Sequence, residues 1–220
     1  MRQRNKKWVE NEMETNIHLV KEPTVYKGKW QEIFDNDNPI HLEIGCGKGD
    51  FVVGMAMLHR NINFIAFEKE EQVIAMAIRK LREKEETDNI ELNVLFINDD
   101  AKDLRDFFGK GELERIYLNF SDPWRNRKKW YKRRLSHRGF LEIYKDILEE
   151  KGSLFMKTDN QNLFEFSLNE LSHCDFKLSN ITFDLHNSEF EGNVVTEYET
   201  KFSNAGMPIY RLEAYKRFGG

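Results

Sequence analysis

The chain has 220 residues, 34 Lys and Arg against 38 Asp and Glu, a formal net charge of −4 and 40% hydrophobic residues. This length fits one domain with a sizeable core. Because the net charge is negative, the protein as a whole does not attract nucleic acid, and a polyanion would need a local basic patch. No apolar run reaches the roughly 18–20 residues of a membrane-spanning helix, and two cysteines and six scattered histidines give neither a disulfide framework nor a metal motif.

The first 39 residues are predicted to form an arm that precedes the main domain, residues 40–220. The arm begins with the basic stretch MRQRNKK, and no apolar segment follows it. We therefore expect no signal peptide, no membrane partner and a cytoplasmic location. Trp8 and Trp30 are candidate anchors of the arm on the domain.

From residue 40 onward, short apolar runs alternate with helical patterns. The predicted strands are 40–44, 62–67, 91–97, 114–120 and 152–157, and the predicted helices are 49–59, 70–85, 101–108, 136–150 and 160–172. Such alternation predicts βαβ units in an α/β fold with a doubly wound, mostly parallel sheet. Two more strands, 176–184 and 208–215, enclose a connection with a short helix near 197–204. They predict an antiparallel pair at one edge of a seven-stranded sheet.

The first strand runs into a glycine-rich turn, Gly45-Cys46-Gly47-Lys48-Gly49, with Glu43 two residues before it. Glycines allow a tight turn and let a ligand approach the backbone. A purely structural turn is the alternative. The G-x-G-x-G spacing with a preceding acid resembles the first motif of S-adenosylmethionine-dependent methyltransferases, where the turn faces the amino-acid and ribose portions of the cofactor.

Acidic residues follow the next two strands. Glu68 ends the second strand about 20 residues after the glycines, where a carboxylate can accept hydrogen bonds from ribose hydroxyls. Asp100 follows the third strand and can accept from an adenine amino group. Their alternative roles are a solvated helix start for Glu68 and an N-cap for Asp100. Ligands of open α/β sheets bind along this edge, which favours a shared cofactor site.

The fourth strand ends in Asn119-Phe120-Ser121-Asp122-Pro123-Trp124, and eight Lys or Arg follow between 125 and 138. Asp122 is a candidate for the reacting centre, although Asp-Pro also favours a turn. Trp124 is expected either to stack on a base or to anchor the loop. The basic run is expected to contact phosphates, which would position an RNA without identifying a base.

Together these motifs resemble the bacterial tRNA (guanine-N7-)-methyltransferase family over roughly residues 40 to 213. The matching pieces are EIGCGKG at 43–49, NFSDPW at 119–124, KRRL at 132–135, KTDN at 157–160, DLH at 184–186, TEYE at 196–199 and PIYR at 208–211. The resemblance implies a Rossmann-like class I methyltransferase fold. It also implies methyl transfer from S-adenosylmethionine, without a metal, to N7 of guanine 46 in the tRNA variable loop.

The resemblance also assigns roles to residues. It implies Asp122 as the catalytic residue. The cofactor-binding positions that it implies are Glu43, Gly45, Gly47, Glu68, Asp100, Asn119 and Asp122. The substrate-binding positions that it implies are Arg127, Asp159, Thr196, Glu197, Tyr198 and Glu199. The family's substrate-binding lysine falls on Asn126 or Arg127, and Arg127 is preferred because it keeps the charge.

Some of these positions also have local structural explanations. Thr196-x-x-Glu199 is a capping box, and Asp159 precedes a predicted helix as an N-cap would. Three other functions fit the sequence less well. A nicotinamide oxidoreductase needs another glycine spacing, and a non-catalytic RNA-binding protein leaves the strand-end acids without a purpose. A methyltransferase that acts on an exocyclic amine commonly carries Asn/Asp-Pro-Pro-Tyr/Phe where Asp122-Pro123-Trp124 stands here. The oligomeric state stays open.

Overall fold

The computed structural model describes residues 7–125 and 127–217, and its strands form one seven-stranded sheet in the order β3-β2-β1-β4-β5-β7-β6. The strands are β1 Ile40–Ile44, β2 Asn63–Phe67, β3 Val94–Ile97, β4 Leu113–Asn119, β5 Leu148–Thr158, β6 Phe176–Thr182 and β7 Tyr210–Lys216. The helices are α1 Lys7–Thr15, α2 Trp30–Phe34, α3 Asp50–Leu58, α4 Glu71–Asp88, α5 Arg138–Ile147, α6 Gln161–His173 and α7 Glu197–Asn204. Short 3₁₀ turns occupy Pro23–Tyr26, Leu104–Asp106, Lys128–Arg133 and Leu185–Asn187.

The strand pairing confirms the predicted α/β fold. Strands β1 to β5 pair in parallel, whereas β7 is antiparallel to both β5 and β6. The chain leaves β6 at the edge and returns through residues 183–209, so that β7 enters between β5 and β6. The carboxyl ends of the five parallel strands therefore share one edge of the sheet.

Helices cover the two faces of the parallel part of the sheet. Because successive side chains of a strand point to opposite faces, β1 sends Leu42 into one core and Glu43 to the other face. The Leu42 core also receives Leu141 of α5 and Leu163 of α6. The opposite core is built from residues of α3 and α4 against β2 and β3, including Phe51, Val52, Phe64, Ile74, Ile78 and Phe96.

The predicted helix at 101–108 is wrong. The structure has only the 3₁₀ turn Leu104–Asp106 there, which Asp103 caps by accepting from the backbone N–H of Arg105 at 3.1 Å. Phe107 and Phe108 are consecutive, and both are buried against Phe67, with ring centroids 5.1 and 6.1 Å away. Both phenylalanines lie beyond the turn, and their packing against Phe67 is a contact between distant parts of the sequence that the local helical pattern does not show.

The described part of the N-terminal segment packs closely on the sheet. Trp30 is fully buried and donates its indole N–H to the carbonyl of Phe107 at 2.9 Å. The guanidinium of Arg79 in α4 lies 4.0 Å from the ring centroid of Trp8. Both predicted anchors therefore contact the main domain. Residues 1–6 of the predicted basic arm lie outside the described residues, and the division at residue 40 stays a prediction.

Candidate active site

A cavity of about 710 Å³ opens at the carboxyl ends of the parallel strands. Its lining includes four predicted site residues, one from the end of each of four strands: Gly45 after β1, Glu68 after β2, Asp100 after β3 and Asp122 after β4. The other lining residues include Phe120, Trp124, Lys69, Lys102, Lys132 and Arg133. The cavity therefore joins the predicted cofactor positions to Lys132 and Arg133 of the basic run.

The glycine-rich turn presents its backbone to open space beside this cavity. Gly45 and Gly47 have φ values of 77° and 56°, and a Cβ on either would meet no atom within 4 Å. The backbone N–H of Gly45 donates to the carbonyl of Phe67 at 2.8 Å, which ties the turn to the end of β2. The N–H of Gly47 donates to Glu68 Oε2 at 3.2 Å. The turn and Glu68 are thus held as one unit, with room for a ligand along the turn.

Gly49 serves packing instead. It has a φ of 79°, and a Cβ placed on it would come within 2.8 Å of the Cβ of Ala77 in α4. Only glycine fits both the left-handed conformation and this close contact between α3 and α4.

Glu43 is a buried carboxylate with one unsatisfied oxygen. It is 3% exposed, and its Oε1 accepts from Asn119 Nδ2 at 2.9 Å. Its Oε2 is buried and finds no hydrogen-bond partner among the described residues. Burial raises the pKa of Glu43 to about 7, which the hydrogen bond from Asn119 and the positive charge of Lys157 oppose only in part. A buried acceptor left unpaired is costly, so this oxygen fits a donor that a ligand would supply.

Asp100 stands exposed at the end of β3 and forms an ion pair with Lys102 at 3.2 Å. It does not cap a helix, because Asp103 caps the 3₁₀ turn that follows. Asn98 Nδ2 donates to the carbonyl of Glu68 at 2.9 Å and thereby links the ends of β2 and β3. Asp100 lies in the cavity wall, next to the end of β2.

The loop after β4 is bounded by two strained residues. Phe120 has a φ of 51° and Trp124 a φ of 45°, both left-handed values that are rare outside glycine. The backbone N–H of Phe120 donates to the carbonyl of Lys157 at 2.9 Å. The exposed carboxylate of Asp122 lies between these two residues on the cavity wall. Strain of this kind often accumulates at functional loops.

The basic run divides into a buried member and exposed ones. Arg134 is fully buried, so its expected contact with phosphates is wrong. Its Nε donates to the carbonyl of Pro123 at 2.8 Å, its Nη2 donates to Asn162 Oδ1 at 2.7 Å, and its guanidinium lies 3.7 Å from the centroid of the Tyr131 ring. Arg134 thus supports the Asp122 loop from beneath. Arg138 is engaged with Glu170 at 2.6 Å.

The remaining cations of the run form an exposed surface beside the cavity, which we call the basic rim. Its members are Arg125, Arg127, Lys128, Lys129, Lys132 and Arg133. The guanidinium of Arg133 lies 4.9 Å from the centroid of Trp124, whose ring also meets Trp130 edge-on at 6.3 Å. Arg127 lies 5.3 Å from the Trp130 centroid. Asn126, the alternative to Arg127, lies outside the described residues.

The predicted substrate residues of TEYE gather at the start of α7. Thr196 caps the helix, because its Oγ1 accepts from the N–H of Glu199 at 3.0 Å. Glu197 is exposed and accepts from Lys48 Nζ of the glycine-rich turn at 2.9 Å. Tyr198 is 46% exposed, and its ring lies 5.0 Å from that of Phe120. Helix α7 therefore adjoins both the turn and the Asp122 loop.

Glu199 is fully buried and does not complete the capping box with its side chain. Its Oε2 accepts from Lys157 Nζ at 2.6 Å, and its Oε1 accepts from Asn193 Nδ2 at 2.6 Å. His186 Nε2 lies 3.0 Å from the same Oε1. Sequence reasoning gave no role to His186, Asn193 or Lys157 in this network. The sequence did contain one signal for this network, because Lys157 of the KTDN motif is a lysine at a strand end that is otherwise buried.

Asp159 is half-buried and close to Tyr198. It does not cap α6, because Asn160 does so by accepting from the N–H of Leu163 at 2.9 Å. Burial and then the negative charge of Asp159 raise the pKa of Tyr198. Asp159 and Tyr198 thus face each other across the ends of β5 and α7.

Two kinds of feature are absent from the part of the chain that the structure describes. No three or more His, Cys, Asp or Glu side chains there are grouped so that they could hold a metal ion. Nor is any helix within 7–125 and 127–217 both long and apolar enough to cross a membrane.

Comparison with known proteins places the chain among methyltransferases. A family profile described as "Putative methyltransferase" matches residues 37–212. A tRNA (guanine-N(7)-)-methyltransferase of Bacillus licheniformis is 47% identical over 215 residues, which cover 97% of this chain and 98% of that protein. The enzyme of the same name from Clostridioides difficile is 47% identical over 219 residues, 99% of this chain and 100% of that protein.

Solved structures share the fold at much lower identity. The 16S rRNA methyltransferase KamB superimposes with a TM-score of 0.64 at 10% identity, over 86% of this chain and 93% of that chain. An antibiotic-related methyltransferase gives a TM-score of 0.58 at 16% identity, over 84% of this chain and 90% of that chain. At these identities the likeness concerns the fold alone.

Proposed function

The chain belongs to the tRNA (guanine-N7-)-methyltransferase family, and on that premise we propose that it methylates N7 of guanine 46 in the tRNA variable loop with S-adenosylmethionine. The observation that carries this proposal is the cavity where acids from the ends of β2, β3 and β4 adjoin the glycine-rich turn that follows β1. A tRNA substrate also agrees with a cytoplasmic location, which we propose with it.

The residues present fit the proposed methyl donor. The unsatisfied Oε2 of Glu43 fits a hydrogen-bond donor of the ligand, and the open backbone of Gly45 and Gly47 leaves it room. We propose that the donor is held by Glu43, Gly45, Gly47, Glu68, Asp100, Asn119 and Asp122. When bound, it would supply a methyl group on a positively charged sulfur.

We assign Asp122 an electrostatic and aligning role. Guanine N7 carries an in-plane lone pair and no proton, so the transfer needs no general base. Catalysis then depends mainly on alignment of the base and on charge. As N7 gains the methyl group, the purine gains positive charge, which the nearby carboxylate of Asp122 would stabilise. Arg134 holds the Asp122 loop through the carbonyl of Pro123, so the carboxylate is positioned before the base arrives.

The substrate side of the site is proposed to lie between the Asp122 loop and α7. The rings of Phe120 and Tyr198 meet at 5.0 Å with their planes 48° apart, beside Asp159, so they offer an aromatic face for stacking and an acceptor for a base edge. Thr196, Glu197 and Glu199 are assigned to the same side. The basic rim, including Arg127, would hold the phosphates of the tRNA.

The test is to map the methylated atom. An unmodified tRNA transcript is incubated with the protein and methyl-labelled S-adenosylmethionine, digested, and the labelled nucleoside is identified and placed in the sequence. We expect 7-methylguanosine at position 46. The matched control is a tRNA with 7-deazaguanosine at that position, which lacks the accepting nitrogen but keeps the base otherwise. Label on an exocyclic amine, or on the deaza transcript, would overturn the proposal.

A further inference from the structure

The buried ammonium of Lys157 joins two parts of the candidate site. Its Nζ donates to Asn193 Oδ1 at 3.0 Å, to the carbonyl of Val194 at 2.8 Å and to Glu199 Oε2 at 2.6 Å. These three bonds use all three protons of the ammonium group. All of the acceptors belong to the segment 193–199 that leads into α7. One side chain of β5 therefore fastens the start of α7 to the sheet.

The same residue also supports the donor side. The carbonyl of Lys157 accepts from the N–H of Phe120, the strained residue that begins the Asp122 loop. Its ammonium lies 5.2 Å from the ring centroid of Phe51 and 5.8 Å from that of Phe120. Its positive charge also acts on Glu43, the buried acid next to the glycine-rich turn.

Stability alone explains this arrangement poorly. A fully buried ion pair often contributes no more than apolar side chains of similar volume would, because both charges lose their hydration. The carboxylate of Glu199 is also met by three side chains from different parts of the chain, namely Lys157, Asn193 and His186. A pair that unites β5, the 185–187 turn and α7 is well placed to fix their relative positions.

We propose that Lys157 and Glu199 are positioning residues that couple the donor site to the base-binding side, so that occupation of one changes the affinity of the other. The inference rests on the proposed function and deepens it. The ion pair holds Tyr198 against Phe120, while the same ammonium offsets part of the cost of a charge on Glu43. Glu43 accepts from Asn119 Nδ2 at 2.9 Å, and Asn119 lies directly opposite Lys157 in the β4–β5 pairing. A ligand that engages Glu43 therefore acts one strand pairing away from Lys157 and its hold on Glu199 and α7. Such coupling is reciprocal.

The first measurement needs no tRNA. Backbone hydrogen exchange of residues 197–204 is followed in the ligand-free protein and with S-adenosylhomocysteine. We expect the ligand to slow exchange in α7 by roughly fivefold or more in the wild type, and by less than about twofold in Glu199→Gln and Lys157→Met. Unchanged exchange in the wild type would overturn the coupling and would leave the proposed methylation of guanine untouched.

The second measurement uses tRNA binding and turnover. The wild type is expected to bind tRNA with an affinity that S-adenosylhomocysteine changes roughly fivefold or more, and Glu199→Gln should remove that dependence. The double variant should be no worse than Lys157→Met, because both substitutions break one interaction. Lys157→Arg, which keeps the charge, should restore part of the dependence and shows that loss is not mere unfolding.

The matched control is Glu12→Gln. Glu12 is also a buried carboxylate with two cationic partners, Arg79 at 3.1 Å and Arg82 at 3.0 Å, but it joins α1 to α4. The Glu12→Gln substitution should lower the stability of the protein without changing how tRNA binding depends on S-adenosylhomocysteine. Equal losses of that dependence in Glu12→Gln and Glu199→Gln would reduce the pair to a structural role and refute the proposal.

Discussion

Replacing Glu43 with Gln is expected to stabilise the ligand-free protein at alkaline pH and to weaken binding of the methyl donor. Glu43 is buried, one of its oxygens is unsatisfied, and burial raises its pKa to about 7. Gln keeps the shape and still offers an oxygen to Asn119 Nδ2. It carries no charge, so the cost of ionising a buried carboxyl disappears at every pH.

The size of the effect follows from the two pKa values. Below pH 4.5 the carboxyl is protonated in both the folded and unfolded chains, so it contributes no pH dependence. Between 4.5 and about 7 the unfolded chain releases its proton while the folded one keeps it, so stability falls as pH rises. At roughly 1.4 kcal/mol for each pH unit, the full cost is about 3 kcal/mol above pH 7.

The assay is urea unfolding of the wild type and Glu43→Gln from about pH 5 to about pH 8. The stabilisation of the variant should grow from about 1 kcal/mol at the acid end to about 3 kcal/mol at the alkaline end. Calorimetry with S-adenosylhomocysteine should show weaker binding. A stability difference that is the same across this range would refute the reasoning, since it would mean that Glu43 has the same charge in both states.

Glu12→Gln provides a control of opposite sign. Burial alone would raise the pKa of Glu12, but hydrogen bonds from Arg82 and Arg79 lower it below its usual value. Its contribution to stability is therefore present above the unfolded pKa and is lost as pH falls through the folded pKa. The variant should be destabilised at about pH 8 and progressively less so in acid.

Three further predictions concern the Asp122 loop, the basic run and the glycine-rich turn. Asp122→Asn should lower kcat by about 10²–10³-fold with little change in tRNA affinity, because it removes charge stabilisation and keeps the shape; wild-type turnover would contradict this role. Arg133→Ala should weaken tRNA binding and reduce by about one the slope of log affinity against log salt concentration. Arg134→Met should keep the wild-type slope but cost about 1–3 kcal/mol of stability, because it leaves buried acceptors unpaired. The reverse pattern in salt titrations would contradict the division of the basic run. Gly49→Ala should lower the free energy of unfolding by about 2 kcal/mol or more, because the residue has a φ of 79° and its new Cβ would come within 2.8 Å of α4. A thermal unfolding temperature equal to that of the wild type would contradict the packing role.

The parallel sheet and its ligand-binding edge could be predicted because their signals are local. Each strand is a short apolar run, and each is followed by a turn or a helix, so Glu68, Asp100 and Asp122 had to meet at one edge once the sheet was parallel. The wrong helix at 101–108 has a non-local cause. Burial of Phe107 and Phe108 depends on Phe67 and Trp30, which lie far away in the sequence.

The burial and the partners of the charged residues were the least predictable part of the site. In the sequence Arg134 is one of eight similar cations, and its burial depends on Asn162 and the carbonyl of Pro123. Glu199 likewise reads as a helix-capping acid, while its actual partner Lys157 lies 42 residues away. Sequence patterns report which charges are present, but partners brought together by the fold decide which of them are buried.

The two ends of the sheet are protected against intermolecular strand pairing by different means. At the β3 end, the backbone of Phe96 donates to His18 and accepts from Val20, at 2.7 and 3.0 Å, so the N-terminal segment occupies the edge. At the β6 end, the register shifts between Ser179 and Thr182, which twists that edge away from a regular template. Deletion of the segment before β1 would therefore expose the apolar edge strand β3, Val94–Ile97, and aggregation is expected even if the methyl-transfer cleft stayed intact.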